Sequence, residues 1–81
     1  MNIYQIVEIH TSDAYYNSKY TKVGTYIYTD EDTYPVIESG WWMHGPFCHY
    51  GNGSSGYALR IRVRPIVTPT QLKRMKLEML L

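Results

Sequence analysis

The feature that most constrains this chain is the run over residues 57–67, YALRIRVRPIV, in which apolar and basic side chains alternate with a period of two. Successive side chains of a strand point to opposite faces. Tyr57, Leu59, Ile61, Val63 and Val67 are therefore predicted on a buried face, and Arg60, Arg62 and Arg64 on a wet one. A helical period would scatter the same three arginines around a cylinder. Directly afterwards, Thr68-Pro69-Thr70-Gln71 offers an N-cap threonine, a proline at the first helical position and a glutamine placed for a capping box. A helix reaching about residue 81 should follow, with Leu72, Met75 and Met79 on its packed face.

Upstream the signals are shorter. Residues 3–10 read as a first strand with Ile3, Val7 and Ile9 on one face, and residues 21–29 as a second that presents Val23, Thr25 and Ile27 and carries a bulge at Gly24. Residues 13–20 suit a short helical turn or a loop, and residues 33–39 a short helix opened by Pro35 or an extended edge. Residues 41–50 should hold a short strand, and Asn52-Gly53 favours a hairpin turn. The expected architecture is a single α+β domain over residues 1–81, a small antiparallel sheet of three or four strands with a C-terminal helix.

A chain of 81 residues has room for one shallow core, burying roughly 60–65% of its unfolded surface. Nine tyrosines and two tryptophans against one phenylalanine favour half-buried and contact positions over a deep interior. The start of the chain has no signal-peptide pattern and no stretch is apolar enough for a membrane span. A lone Cys48 fits a reducing compartment, so the expected setting is the cytoplasm, or a host's cytoplasm if the protein is viral. Charge is asymmetric. In residues 1–56, Lys19 and Lys22 face six acids, for a balance of −4; in residues 57–81, six bases face Glu78, for +5.

Three constellations are candidates for function. Arg60, Arg62 and Arg64 form a line suited to phosphates or carboxylates, or else a solvated sheet face paired with Glu8 or the acidic turn Asp30-Glu31-Asp32. Trp41 and Trp42 supply a hot spot or a stacking platform, or else cover the core. Lys73, Arg74 and Lys76 lie on a helix whose surplus of Leu77, Leu80 and Leu81 would also serve a homodimer seam. His10, His44, Cys48 and His49 lack metal-site spacing and an orienting third group, so no metal, cofactor or catalytic residue is expected. Gly51, Gly53 and Gly56 match a dinucleotide fingerprint in spacing only, because a strand follows where a helix is required.

The segment Arg62-Val63-Arg64-Pro65-Ile66-Val67-Thr68-Pro69 is similar to the last strand and tail of the small bacteriophage inhibitors of bacterial RNA polymerase, of the T7 type. The resemblance implies a small antiparallel sheet with a helix and assigns polymerase contact to Arg62 and Arg64. It covers about eight residues, and this chain departs from the family in its Trp-rich middle and its added C-terminal helix. Anti-CRISPR proteins share the general look without a shared motif. The expected function is non-enzymatic: an inhibitor that blocks a surface of a host protein or nucleoprotein complex. Direct nucleic-acid binding and self-assembly are the alternatives.

Overall fold

The computed structural model describes residues 1–9, 14–15, 19–30 and 36–80. Six strands, β1 (Asn2–Ile9), β2 (Ala14–Tyr15), β3 (Tyr26–Thr29), β4 (Val36–Glu38), β5 (Trp42–His49) and β6 (Ser55–Pro65), are followed by helix α1 (Pro69–Met79). The fold is α+β, an antiparallel sheet with one C-terminal helix, and the sheet closes on itself. β6 pairs with β1, β1 with β3, β3 with β5, and β5 returns to β6. Four strands thus form a small barrel, while β2 joins β6 and β4 joins β5 as short additions to the three or four strands expected. Closure gives each of the four barrel strands a partner on both sides and leaves only the short β2 and β4 as terminal strands.

Ile6, Ile27, Met43, Phe47, Ala58, Ile61 and Val63 fill the barrel, and Tyr4, Ile9 and Ile37 pack at its margins. A second cluster, Tyr26, Ile66 and Met75 with Ile3, Tyr50 and Leu72, joins the barrel to α1. The helix begins with the capping box that the sequence announces. Thr68 Oγ1 accepts from the Gln71 amide at 3.1 Å, and Gln71 Oε1 accepts from the Thr68 amide at 3.0 Å. The β5–β6 hairpin turns through Gly51 and Gly53, at φ 109° and 72°, which an L-residue adopts only with strain. Asn52 Oδ1 secures the turn by accepting from the Ser54 amide at 2.8 Å.

Two bulges correct the simple alternation. Between the pairs Met43↔Ile61 and Gly45↔Ala58, β5 advances two residues and β6 three, so β6 carries one extra residue. Leu59 and Arg60 both face solvent in consequence, with Leu59 44% exposed where burial was expected. N-terminal to the bulge, Gly56 and Ala58 face inward and Tyr57 outward. A Cβ on Gly56 would lie 2.6 Å from Phe47 Cε2, so these small residues leave the room that Phe47 occupies. Similarly, β1 advances two residues against one of β6 between Ile6↔Val63 and Glu8↔Arg62, which turns Val7 out and buries Ile6.

Other expectations also yield. Residues 21–25 form a turn in which Gly24 sits at φ 95°, so β3 spans only four residues and Val23 is exposed. Val67 lies beyond the end of β6 and is 77% exposed. Met79 is partly exposed, its Sδ-methyl resting 2.7 Å from where a Cβ on Gly51 would stand. Ala14–Tyr15 and Val36–Glu38 are extended, which removes the helical readings at those positions. Residues 10–13, 16–18, 31–35 and 81, including His10, Tyr16, Glu31, Asp32, Pro35 and Leu81, lie outside the described residues. Among the described residues no helix is long and apolar enough to cross a membrane.

Candidate binding face

Downstream of its bulge, β6 alternates strictly. Ile61 and Val63 enter the barrel, and Arg60, Arg62 and Arg64 stand outside. Same-face residues of a strand are spaced by about 6.6–6.8 Å, so the three guanidiniums span about 13 Å. Each has a neighbour on an adjoining strand. Arg64 donates to Gln5 Oε1 through Nε at 3.2 Å and also through Nη2. Arg62 Nη1 lies 3.8 Å from Glu8 Oε2. The Arg60 guanidinium carbon sits 4.2 Å from the centre of a Trp42 ring.

These partners orient the arginines more than they neutralise them. Gln5 is uncharged and Trp42 offers only a π face. Among the described residues Glu8 is the one carboxylate paired with the three guanidiniums, which leaves the row an excess of two positive charges, while Glu38 lies beyond Trp42 on the same face. The Arg62–Glu8 pair is half exposed at both ends, and a pair of that kind contributes about 0–1 kcal/mol. The stack on Trp42 contributes roughly 0.5–1 kcal/mol if it behaves like other exposed cation–π contacts. Neither is strong enough to resist an incoming carboxylate or phosphate that offers two oxygens to a guanidinium.

Trp41 ends the tight β4–β5 connection and Trp42 opens β5. Trp42 is half-buried and pairs across the ladder with Arg62, which explains its access to Arg60. Trp41 is different. It is 48% exposed and has φ 65°, and it is the one non-glycine residue with positive φ among those described. Its amide donates to the Glu38 carbonyl at 3.1 Å, and its carbonyl accepts from the Val63 amide at 2.9 Å, so its backbone is pinned between Arg62 and Arg64. For a residue with a Cβ the left-handed conformation costs about 1–2 kcal/mol.

The three helix bases are not brought together. Arg74 shares a notch of about 120 Å³ with Arg64, Tyr26, Thr68, Thr70 and Gln71, and so extends the arginine row. Lys73 and Lys76 instead flank a shallow groove floored by Leu72, Leu77 and Leu80. Beside the notch, the Tyr26 hydroxyl donates to Glu78 Oε2. Burial pushes this phenol up to about 12, the hydrogen bond and the charge of Glu78 add to the shift, and Arg64 and Arg74 oppose it.

His44, His49 and Cys48 do not converge. His49 is buried, with Nε2 2.9 Å from Thr21 Oγ1 and Nδ1 2.9 Å from the Ser54 carbonyl. His44 faces outward, with Nε2 3.2 Å from the Tyr57 hydroxyl. Cys48 neighbours Tyr28, whose phenol it raises above its ordinary range. Among the described residues no three His, Cys, Asp or Glu side chains are grouped to hold a metal ion.

The one contributor that the sequence pattern does not mark is Gln5. Its pairing opposite Arg64 depends on the β1–β6 register, for which residues so distant in the chain carry no local signal. No family, curated protein or solved structure was found to match this chain.

Proposed function

We propose that this chain is a non-enzymatic binding protein that blocks a surface of a larger host complex, laying the outer face of β5, β6 and β1 against an acidic protein surface. Arg60, Arg62 and Arg64 grip carboxylates, Arg74 extends the row, and Trp41 and Trp42 supply the apolar contact. The observation that carries this reading is Trp41, a large aromatic held in a costly backbone conformation and left in solvent beside the arginine row. Strain of that kind persists where surrounding bonds impose it, and it concentrates at ligand contacts and functional sites. Trp, Tyr and Arg are also the residues that dominate binding energy at protein interfaces. The resemblance of Arg62 to Pro69 to the phage inhibitors of bacterial RNA polymerase supports the same face and names a first target.

The test is binding to purified bacterial RNA polymerase, together with quantitative capture from bacterial lysate, using the wild type and an Arg60→Ala/Arg62→Ala/Arg64→Ala variant. Loss of affinity by about a hundredfold is expected, since truncating even one hot-spot arginine costs about 2 kcal/mol or more and arginine is enriched among hot spots. A triple variant that recovers the same proteins with the same yield would overturn the reading. The Arg60–Trp42 stack favours one alternative, direct nucleic-acid binding with bases on the indoles. In that case single-stranded and duplex oligonucleotides would bind with an affinity that falls steeply with salt.

A further inference from the structure

A cleft of about 330 Å³ opens where the 19–25 turn, the end of β5 and the last turn of α1 meet. This is the lower end of the roughly 300–1,000 Å³ range of small-molecule sites. Its aromatic walls are Tyr20, Tyr50 and the ring of His49, and Met79 lines it from the helix. Both nitrogens of His49 are engaged with Thr21 and Ser54, so the cleft meets its ring as a surface and not as a free nitrogen. The Glu78 carboxylate, which also lines it, is engaged by the Tyr26 hydroxyl.

The cationic groups at this site stand out against their surroundings. Lys19 and Lys22 are the sole bases of residues 1–56, a stretch of net charge −4, and both line this one cleft. The Lys19 ammonium lies 5.4 Å from the centre of the Tyr20 ring, which places positive charge over an aromatic wall. Gly24 contributes open backbone, with nothing within 4 Å of the position a Cβ would take.

From these features we infer that the cleft is a second binding site, separate from the arginine face, for a small planar ring that carries one anionic group. The ring stacks among Tyr20, Tyr50 and Met79, and the anion meets Lys19 and Lys22. Either part alone is a poor ligand. An isolated anion leaves the aromatic walls wet, and a neutral ring forgoes the charge pairing that the two ammonium groups offer.

Amide chemical shifts of the labelled protein, titrated with indole-3-acetate, indole-3-acetamide and acetate, test this directly. Indole-3-acetate should shift residues 19–26 and 49–52; its neutral amide, of the same ring and nearly the same shape, should bind on the order of tenfold more weakly, and acetate should leave these residues unmoved. Lys19→Gln/Lys22→Gln, at two exposed positions, should reduce the acid to the level of the amide. Met79→Trp, at a partly exposed position, should fill the cleft and abolish both. The triple arginine variant should bind like the wild type, which separates failure here from failure of the arginine face. Equal affinity for acid and amide, shifts confined to residues 60–64, binding that survives Met79→Trp, or no binding by any probe would each overturn the proposal.

Discussion

β6 and α1 each carry three basic residues, and the two elements use them in opposite ways. On β6 the period of two gathers Arg60, Arg62 and Arg64 on one face, where Gln5, Glu8 and Trp42 from neighbouring strands orient them. On α1 a rotation of about 100° per residue parts Lys73 and Lys76 from Arg74, and the latter joins the strand's row through the notch at Tyr26. Equal charge counts therefore give a concentrated field on the sheet and a dispersed one on the helix. The comparison teaches that register, more than composition, determines where this protein is positively charged.

Register can be broken with one residue, and the largest effect is expected there. Deleting Ala58 leaves either Leu59, with the bulge lost, or Tyr57, with the bulge kept, at the inward position opposite Gly45. Either side chain would compete for the space that Ala58 leaves beside Phe47. Loss of cooperative thermal unfolding, followed by circular dichroism, is the expected outcome. Deleting the exposed Leu80 at the end of α1 should change stability by about 0.5 kcal/mol or less. If the two deletions proved equally mild, Ala58 would not be fixing the strand.

The same bulges separate what was legible in the sequence from what was not. The capping box at Thr68 and Gln71 was legible because all its bonds are local. The outward arginines were legible because β6 itself carries no extra residue between Arg60 and Pro65, the bulge at Val7 belonging to β1. Leu59 and Val7 were misread because each bulge is defined by a partner strand far away in sequence, and an apolar residue at a bulge looks like any other core residue. Gly56 and Ala58 held a usable clue, since two small residues in alternation can face a large neighbour such as Phe47. Barrel closure could not be read at all, because it rests on pairings between β1, β3, β5 and β6 that no local period encodes. Trp41 was named as a candidate, but its left-handed backbone belongs to a turn that the sequence marks only with Gly40.

A smaller effect probes the contact between the barrel and the helix at Tyr26 and Glu78. Tyr26 keeps its proton in the folded protein up to about pH 12, whereas an unfolded tyrosine loses it near 10. Above pH 10 the unfolded state binds fewer protons than the native one, so stability falls as pH rises through this window and is fully present below it. Burial also raises Tyr4, so the Tyr26 contribution is read as a difference from Tyr26→Phe. That variant should lose about 0.5–1.5 kcal/mol at neutral pH with its hydrogen bond to Glu78, and it should show a shallower decline between pH 10 and 12 in denaturant titrations. The two guanidiniums at this phenol, Arg64 and Arg74, oppose the shift. Their replacement by Gln should therefore deepen the decline.

The smallest change in stability sharpens the comparison most, because the reading of the arginine face predicts opposite signs for folding and binding. Among the described residues Glu8 is the only carboxylate paired with an arginine of the row, and that pair is long and half exposed. Glu8→Gln should therefore lower stability by no more than about 1 kcal/mol. The same substitution raises the excess charge of the row from two to three and frees Arg62 for a partner's carboxylate. Affinity for an acidic partner should then rise, with the gain shrinking as salt screens the face, and chiefly through faster association, since charge complementarity acts most strongly on the encounter. Removing a base from the helix at Lys73, which lies outside the row, should alter neither quantity appreciably. If Glu8→Gln instead weakened binding while destabilising the fold, the Arg62–Glu8 pair would be a structural element of the barrel wall, and the charge of the face would be a by-product of how the strands are held.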